Sequence, residues 1–391
     1  MAQDTAAWLK QCACLTREGA ELKPLAPQAF DLMHASHWAR RVPIVAGAAS
    51  TGSLAYVLGQ TPQRNLRRHE AKPKVTGAGG QLPHAPRSTL VGASSKFEAS
   101  THAAPHRSRL AVDTAARCIS KRDPRRDAEV PVDCGEDAFF MAMADSTLSS
   151  IGVADGVGSW AQLGIDPALF AWEVMKRCEA EVAALFKASK ASLDSHVQLD
   201  PKSLLSKVFH TSLERGDLPY GSSTACVASL DHVSGDLKIA NLGDSGVLVV
   251  RDRGIVFKSE EQQHSFNCPF QLLRSPFGEG GDPPAAADEY HIKVKEGDLV
   301  VMATDGFLDN VHREEVAEIT SSMADHGAPP GDMAETLAKY ARAKSFDQEQ
   351  HSPFAAAAAR HGYWIRGGKP DDITVLVSQI SRYDHKNAIH N

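Results

Sequence analysis

The sequence predicts an α+β domain of layered sheets and helices that follows a basic leader. Residues 34–126 contain 16 Lys and Arg against 4 Asp and Glu, whereas residues 127–391 contain 23 against 40, so the two parts differ in kind. In the acidic part, apolar runs of strand length occur in groups with amphipathic helical segments between the groups, which is typical of an α+β domain. With 42% apolar residues, the chain can bury a sizeable core.

Residues 1–126 are predicted to be a disordered, low-complexity basic leader rather than a packed domain. Gly, Ser, Ala, Pro and His are frequent there, and apolar periodicity is poor. An Arg-rich, Ser/Ala-rich and acid-poor segment is typical of an organellar transit peptide, which is the interpretation we favour. The acidic residues Asp4, Glu18 and Glu21 near the start leave open a basic leader without a targeting role.

A stretch of 18 uncharged residues, 42–59, lies inside this leader. A helix that spans a membrane needs about 20 mostly apolar residues. This stretch is diluted by Gly, Ser and Thr and contains Pro43. A membrane anchor is therefore the less favoured interpretation, and a cleaved or frayed leader segment is favoured.

The seven cysteines are scattered and include no CxxC pair. Their odd number and irregular spacing favour free thiols in a reducing compartment over a disulfide framework. The spacing also gives no support to a zinc site.

The acidic part begins with a strand predicted at residues 147–154, followed by a helix. Asp166 is a good N-cap residue and Pro167 suits the first helical position, and apolar residues then recur at helical spacing to about residue 187. Three further strands are predicted at residues 223–230, 237–242 and 247–251. Short turn signals separate them, which predicts an antiparallel meander.

The last third of the chain is predicted to combine two buried strands with two helices. The strands are expected at residues 299–304 and 373–379, and the helices at residues 314–323 and 332–343.

Acidic residues follow or precede these strands in five short segments, most of them beside glycine. The segments are Gly135-Glu136-Asp137, Asp155-Gly156, Gly243-Asp244-Ser245, Asp305-Gly306-Phe307-Leu308-Asp309 and Lys369-Pro370-Asp371-Asp372. A single Asp-Gly is usually a turn, but five such segments between core strands are harder to explain as turns alone.

Burial of several carboxylates in one place requires cations, because desolvation raises the pKa of an unpaired carboxyl group. A ligand set made of oxygen atoms, without His or Cys, favours hard ions such as Mg²⁺ or Mn²⁺ over zinc. The pattern therefore predicts a site for divalent cations.

The order of these segments resembles the protein phosphatase 2C (PP2C, PPM-type) family of metal-dependent Ser/Thr phosphatases. Longer blocks resemble the organellar Ptc-seven-like branch: GVADGVGSW at 152–160, GSSTAC at 221–226, EQQHSFNCPFQL at 261–272 and RGGKPDDITV at 366–375. The resemblance extends over about residues 134–380. We accordingly predict a phosphatase domain at 127–383 and a short tail at 384–391.

The resemblance implies a four-layer α-β-β-α sandwich of two antiparallel sheets flanked by helices, with two Mn²⁺ or Mg²⁺ ions at one edge. It implies hydrolysis of phosphoserine and phosphothreonine in proteins by a hydroxide that bridges the two ions. Phosphorylated proteins are therefore the expected partners, and the chain is expected to act as a monomer.

The resemblance also assigns roles to individual residues. Asp155 would bridge both ions, Asp305 and Asp371 would bind the first ion, and Glu136 and the Gly156 carbonyl would bind the second. Asp137 would hold metal-bound water, so Asp155 and Asp137 are the predicted catalytic pair. Asp309 aligns with an additional metal position. Asp244 is interpreted as structural.

Three positions depart from residues that are frequent in the family, and two of these departures affect phosphate binding or leaving-group protonation. Val132 stands where many members carry an arginine that grips phosphate, Val157 replaces a histidine proposed as general acid, and Pro219 replaces a frequent aspartate. No residue is assigned to phosphate binding. His264, Arg274 and the basic run that starts at Lys121 are candidates, but a loop histidine and solvated charges are the favoured interpretations.

Two other function classes are less favoured than the phosphatase. A non-catalytic relative that binds phosphoproteins and regulates a partner is the alternative, and Val132 and Val157 are its best support. Nucleic-acid binding by the leader is not expected, because aromatic residues that could stack on bases are almost absent between residues 42 and 126. The resemblance favours the mitochondrial matrix as location, with the plastid as alternative.

Overall fold

The computed structural model of the chain describes residues 109–121, 133–143, 147–190, 198–277 and 280–383. The predictions for residues 1–108, which include the segment 42–59, and for the tail 384–391 lie outside the described residues.

The elements follow one another in an order that groups strands and helices. They are β1 Leu110–Ile119, β2 Asp137–Met143, β3 Leu148–Asp155, α1 Pro167–Lys190, α2 Pro201–Arg215, β4 Gly221–Ser223, β5 Ala225–Asp231, β6 Asp236–Leu242, β7 Gly246–Arg251, β8 Gly254–Lys258, β9 Gln263–Ser265, β10 Cys268–Pro269, β11 Leu272–Arg274, β12 Asp288–Lys293, β13 Leu299–Ala303, α3 Asp305–Leu308, α4 Arg313–Asp325, α5 Pro330–Ser345, α6 Pro353–Arg360 and β14 Ile373–Arg382.

Two five-stranded antiparallel sheets carry the fold. The first sheet has the strand order β12-β6-β5-β3-β2, and the second has the order β1-β14-β13-β7-β8. Two short pairs, β11-β4 and β10-β9, complete the sheet structure of the described residues.

Strands whose side chains alternate between two buried faces hold the sheets together. In β5, Ala225 and Val227 face the helices of the first sheet, whereas Cys226 and Ala228 face the second sheet. In the same way, Val300 of β13 packs between the sheets. Because successive side chains of a strand point to opposite faces, a strand buried on both sides has to be apolar throughout.

Helices cover the outer face of each sheet. Helices α1 and α2 pack on the first sheet through residues such as Phe170 and Leu205. Helices α4 and α5 pack on the second sheet through residues such as Val316 and Leu337. The result is the predicted α-β-β-α sandwich, so the fold class is confirmed.

Local sequence signals located most of the predicted elements. Helix α1 begins at Pro167, and the carboxylate of Asp166 accepts a hydrogen bond from the backbone N–H of Ala168 at 3.0 Å. Helix α2 was not predicted, although Asp200 caps it by accepting from the N–H of Ser203 and Gly216 ends it with φ of 69°.

The predicted antiparallel meander is wrong at its third strand. Strands β5 and β6 pair as expected, but β7 pairs with β13 and β8 in the other sheet. The chain changes sheet at Gly243, whose φ of 107° is readily adopted only by glycine. A side chain there would also approach the Phe270 carbonyl oxygen to 2.7 Å.

The predicted domain boundary at residue 127 is also wrong. Strand β1 lies before this boundary and pairs with β14 along its whole length, from Leu110 opposite Arg382 to Ile119 opposite Ile373. The segment contains three Ala residues, is interrupted by Asp113 and Arg117 and is only half-buried for most of its length, so it lacks the apolar run that marks the other strands. The folded domain therefore begins by residue 110.

The expectation of free thiols is corrected for Cys118 and Cys134, which form a disulfide with 5.0 Å between their Cα atoms. The bridge joins the end of β1 to the turn before β2. Cys178 and Cys226 are free and buried, as the sequence suggested for its scattered cysteines.

No helix in the described part of the chain is long and apolar enough to span a membrane.

Candidate metal centre

The acidic residues singled out from the sequence meet at one edge of the sandwich, where strands of both sheets end. Asp137 begins β2 and Asp155 ends β3, and the two residues are directly opposite each other in the antiparallel register. The other sheet contributes Asp305, which begins α3 directly after β13, and Asp371, which precedes β14. The Thr304 hydroxyl connects the sheets by donating a hydrogen bond to Asp137 Oδ2 at 2.9 Å.

The turn that carries Glu136 is held by the side chain of Asp372. Its carboxylate accepts hydrogen bonds from the backbone N–H of Glu136 at 2.9 Å and from that of Lys121 at 2.6 Å. Gly135 has a φ of 67°, and a Cβ atom there would lie 2.1 Å from Asp372 Oδ1. Glycine therefore allows the carboxylate of Asp372 to reach the backbone beside Glu136.

Gly156 brings the end of β3 close to the same turn. Its N–H donates a hydrogen bond to the Glu136 carbonyl at 3.0 Å. A Cβ atom at Gly156 would lie 2.6 Å from the Pro167 carbonyl oxygen and 2.7 Å from that of Glu136. The close approach of three backbone segments thus explains why this position requires glycine.

Lys121 reaches the cluster from the end of β1. Its ammonium donates to Glu136 Oε2 at 2.7 Å and to Asp371 Oδ1 at 3.0 Å, and it lies 3.4 Å from Asp372 Oδ2. Burial acts to lower the pKa of Lys121, but the three carboxylates outweigh it and raise this pKa. The sequence interpretation of Lys121 as a solvated charge is therefore wrong.

Lys369 is a second cation in the cluster. Its ammonium donates to Asp305 Oδ2 at 2.5 Å and to Asp309 Oδ2 at 2.9 Å, and it lies 3.5 Å from Asp371 Oδ2. The Asn310 side chain bonds the N–H and the carbonyl of Lys369, each at 2.8 Å. The Lys-Pro-Asp-Asp segment was recognised in the sequence, but its lysine received no role there.

Burial dominates the electrostatics of the acids. It raises the pKa of Asp155, and the nearby carboxylates of Asp305 and Asp137 raise it further. Burial and Asp372 raise the pKa of Asp137 in the same way. Asp371 differs, because Lys369 and Lys121 outweigh the effect of burial and lower its pKa. Bringing the acids together is therefore unfavourable without cations.

Three buried carboxylate oxygens, Oδ1 of Asp137, Asp244 and Asp305, have no hydrogen-bonding partner among the described residues. Asp244 was interpreted as structural, yet its pKa is raised by burial first and then by Asp305, so it belongs to the same acidic group. Buried oxygen atoms of this kind favour an additional positive charge close to them.

The donor atoms suit a hard divalent cation, since they are carboxylate oxygens and include these three without a partner. In the arrangement of side chains described for the chain, however, no three His, Cys, Asp or Glu side chains form a ready metal site. The two lysines lie between the carboxylates instead. Binding of divalent cations therefore requires the lysine ammonium groups to give up acceptors.

Other candidates lie away from the cluster. The ring of His264 stacks on Phe270 at 4.1 Å and bonds to Asp282, as expected of a loop histidine. Arg274 donates to the Gly216 carbonyl and packs over the ring of Tyr220. Val132 lies outside the described residues.

Known proteins with a similar sequence and the same fold identify the class. Residues 179–381 match the model of the family described as Stage II sporulation protein E (SpoIIE). Together with the sandwich and its acidic edge, the match means that the chain belongs to the SpoIIE/PP2C-type family of protein serine/threonine phosphatases.

Within this family the chain is similar to the phosphatases named PTC7 homologues. It is 39% identical to that of Danio rerio over 254 residues, which cover 64% of this chain and 82% of the relative. For the homologue of Homo sapiens the identity is also 39%, with 64% and 80% covered. The X-ray structure of the photosystem II phosphatase PBCP superposes with a TM-score of 0.55 at 30% identity, covering 69% of this chain and 98% of that one.

Proposed function

We propose that this chain hydrolyses phosphoserine and phosphothreonine in organellar proteins with two Mn²⁺ or Mg²⁺ ions per active site. The observation that carries the proposal is the convergence of buried carboxylates from both sheets, several with oxygen atoms that lack a partner among the described residues. Such a group of acids is stable in a protein interior only when it is protonated or neutralised by positive charge, and ionised carboxylates need the positive charge.

The residues that would hold the ions are Glu136, Asp155, the Gly156 carbonyl, Asp305 and Asp371, with Asp309 beside a further position. Bound divalent cations supply a nucleophilic water of lowered pKa and neutralise phosphoryl oxygens. Asp372 would keep Glu136 oriented through its backbone N–H.

Asp137 is proposed to handle a proton at the reacting centre. Thr304 fixes its carboxylate by donating to Oδ2, which leaves Oδ1 without a partner among the described residues. Burial raises the pKa of Asp137, which favours uptake of a proton by Oδ1. Asp137 Oδ1, which lies within the acidic cluster, is therefore the proposed proton acceptor.

An alternative function is a phosphoprotein-binding regulator of low activity. Its support is that Lys121 and Lys369 bond the carboxylates that the ions would need. Retention of all the predicted ligands favours the enzyme. Phosphorylated proteins are the partners in either case, and we continue to predict a monomer without nucleic-acid binding.

The decisive experiment compares the full-length wild type with Asp155→Asn and with the control Asp252→Asn, whose side chain is 85% exposed. Hydrolysis of p-nitrophenyl phosphate and of a phosphothreonine peptide is measured with Mn²⁺, with Mg²⁺ and with EDTA. We expect hydrolysis that requires the metal, is reduced at least about a thousandfold in Asp155→Asn and is unchanged in Asp252→Asn. Metal-dependent binding of the phosphopeptide without turnover would support the regulator.

The mitochondrial matrix is the proposed location, and the plastid is the alternative. The acid-poor basic leader supports import into an organelle. Fusion of residues 1–108, which precede β1, to a fluorescent reporter should direct it to mitochondria, whereas a diffuse cytosolic signal would contradict the proposal.

A further inference from the structure

We propose that Lys121 is the phosphate-binding residue of this site, a role for which the sequence gave the basic run that starts at Lys121 only as a less favoured candidate. The inference deepens the proposed phosphatase function and rests on it. Lys121 lies just beyond β1 and points its ammonium at Glu136 and Asp371.

Lys121 sits at the solvent side of the acidic cluster. Its side chain is 35% exposed, whereas that of Lys369 is 17% exposed. Lys369 is also covered by the Phe354 ring at 5.2 Å. A substrate that arrives from solvent therefore meets Lys121 before it meets Lys369.

Glu136 and Asp371 accept hydrogen bonds from Lys121 and are also predicted metal ligands. When their carboxylates bind a divalent cation, Lys121 loses acceptors that it has in the metal-free chain. Its backbone stays in place, because its N–H is bonded to Asp372 Oδ1. The ammonium would then keep Asp372 Oδ2 at 3.4 Å but have other N–H groups available beside the metal centre, where they could donate to the oxygens of a bound phosphoryl group.

The segment that carries Lys121 is fixed from two sides. Strand β1 pairs with β14 up to Ile119, opposite Ile373, and the disulfide joins Cys118 to Cys134. The lysine is thereby held beside Glu136, which follows Cys134 by two residues. No comparable cation is provided by Val157, the residue that follows the Asp155-Gly156 segment.

The test uses the full-length protein and the variants Lys121→Met and Lys121→Arg. The control is Lys339→Met, which removes an exposed lysine of α5 that pairs with Glu335. Binding of Mg²⁺ alone, and of inorganic phosphate to the Mg²⁺-loaded protein, is measured by titration calorimetry. KM and kcat for a phosphothreonine peptide are measured in parallel.

We expect Lys121→Met to weaken phosphate binding and to raise KM about tenfold or more, as for loss of a charge-assisted hydrogen bond. Affinity for Mg²⁺ should stay the same or increase, because a competing ammonium is removed. Lys121→Arg should recover most of the phosphate affinity, and Lys339→Met should match the wild type.

Unchanged phosphate affinity and KM in Lys121→Met would overturn the inference, as would a loss of Mg²⁺ affinity, which would indicate a structural role. A wild type that binds phosphate through Lys121 but has no turnover would refute the proposed activity and leave the inference standing. A loaded wild type that binds no phosphate would refute the inference.

Discussion

Asp137 and Asp155 are paired across β2 and β3, so that the buried Asp137 and the half-buried Asp155 face each other at the end of one sheet. The pairing brings like charges together where burial already raises the pKa of both groups. Like charges directly opposite each other destabilise a strand pair. The chain keeps the pair nevertheless, which is reasonable if positive charge is bound there during function.

Asp137→Asn should therefore stabilise the metal-free protein. Asparagine has the same shape, can still accept from the Thr304 hydroxyl and carries no charge. We expect the free energy of unfolding in EDTA at pH 8 to rise by about 1–2 kcal/mol, while turnover with Mn²⁺ falls at least about tenfold. Urea unfolding and phosphopeptide hydrolysis check these outcomes. The exposed control Asp252→Asn should change neither, and a less stable Asp137→Asn would contradict the argument.

The sequence was sufficient to predict the elements that have strong local signals. Strand β13 is apolar throughout and helix α1 has an N-cap, a proline at its first position and regular apolar spacing. The predicted acidic segments lie beside such strands, so their convergence followed once the sandwich was inferred from the family resemblance. The strands, the helix and the acidic segments were each recognised from residues that are near each other in the chain.

The features that could not be predicted depend on residues that are far apart in the chain. Lys121 meets Asp371 from 250 positions away, and β1 is a strand only because β14 lies beside it. The change of sheet at Gly243 follows a turn signal that is also compatible with a hairpin. Neither composition nor periodicity reports such long-range partners.

Lys369→Met should remove positive charge that the acidic cluster needs for stability. Methionine has a similar length but no charge, so Asp305 and Asp309 would lose the ammonium that they share. Removing one partner of a buried ion pair is strongly destabilising, and we expect a loss of about 3 kcal/mol in the free energy of unfolding in EDTA.

Saturating Mg²⁺ should recover part of this loss, because divalent cations replace the missing charge. Urea unfolding of Lys369→Met in EDTA and in Mg²⁺ provides the comparison, and Lys339→Met is the matched control on the surface. An equal loss under both conditions would mean that Lys369 acts through packing alone.

Gly156→Ala should damage the site through the backbone. The added Cβ would lie 2.6–2.7 Å from two carbonyl oxygens, and neither belongs to a flexible side chain. We expect a loss of about 1–3 kcal/mol in stability, together with weaker Mg²⁺ binding, because the turn at Glu136 has to move. Gly254→Ala is the matched control, since the nearest atom to its Cβ would be 3.7 Å away. Thermal unfolding measures the stability of the two variants and calorimetry measures their Mg²⁺ binding. Only Gly156→Ala should be impaired, and equal behaviour of the two variants would contradict the prediction.

The pH dependence of the metal-free protein follows from Asp309. Burial raises the pKa of this carboxyl group to about 7, against the opposing effect of Lys369 and with a further increase from Asp305. In the unfolded chain the pKa of an aspartate is about 3.9. Between about pH 4 and pH 7 the folded chain therefore retains a proton that the unfolded chain releases.

The contribution of Asp309 to the free energy of unfolding in EDTA must consequently decrease as the pH rises through this window, and level off above about pH 7. Divalent cations compete with the same proton, so Mg²⁺ affinity should increase over the same range. Urea unfolding of the wild type, Asp309→Asn and Asp252→Asn at pH 5, 6, 7 and 8 tests the sign. Asp309→Asn should give a flatter dependence than the wild type, whereas Asp252→Asn should reproduce the wild-type slope. If Asp309→Asn also reproduces that slope, Asp309 does not hold the proton, and another buried acid of the cluster must carry the effect.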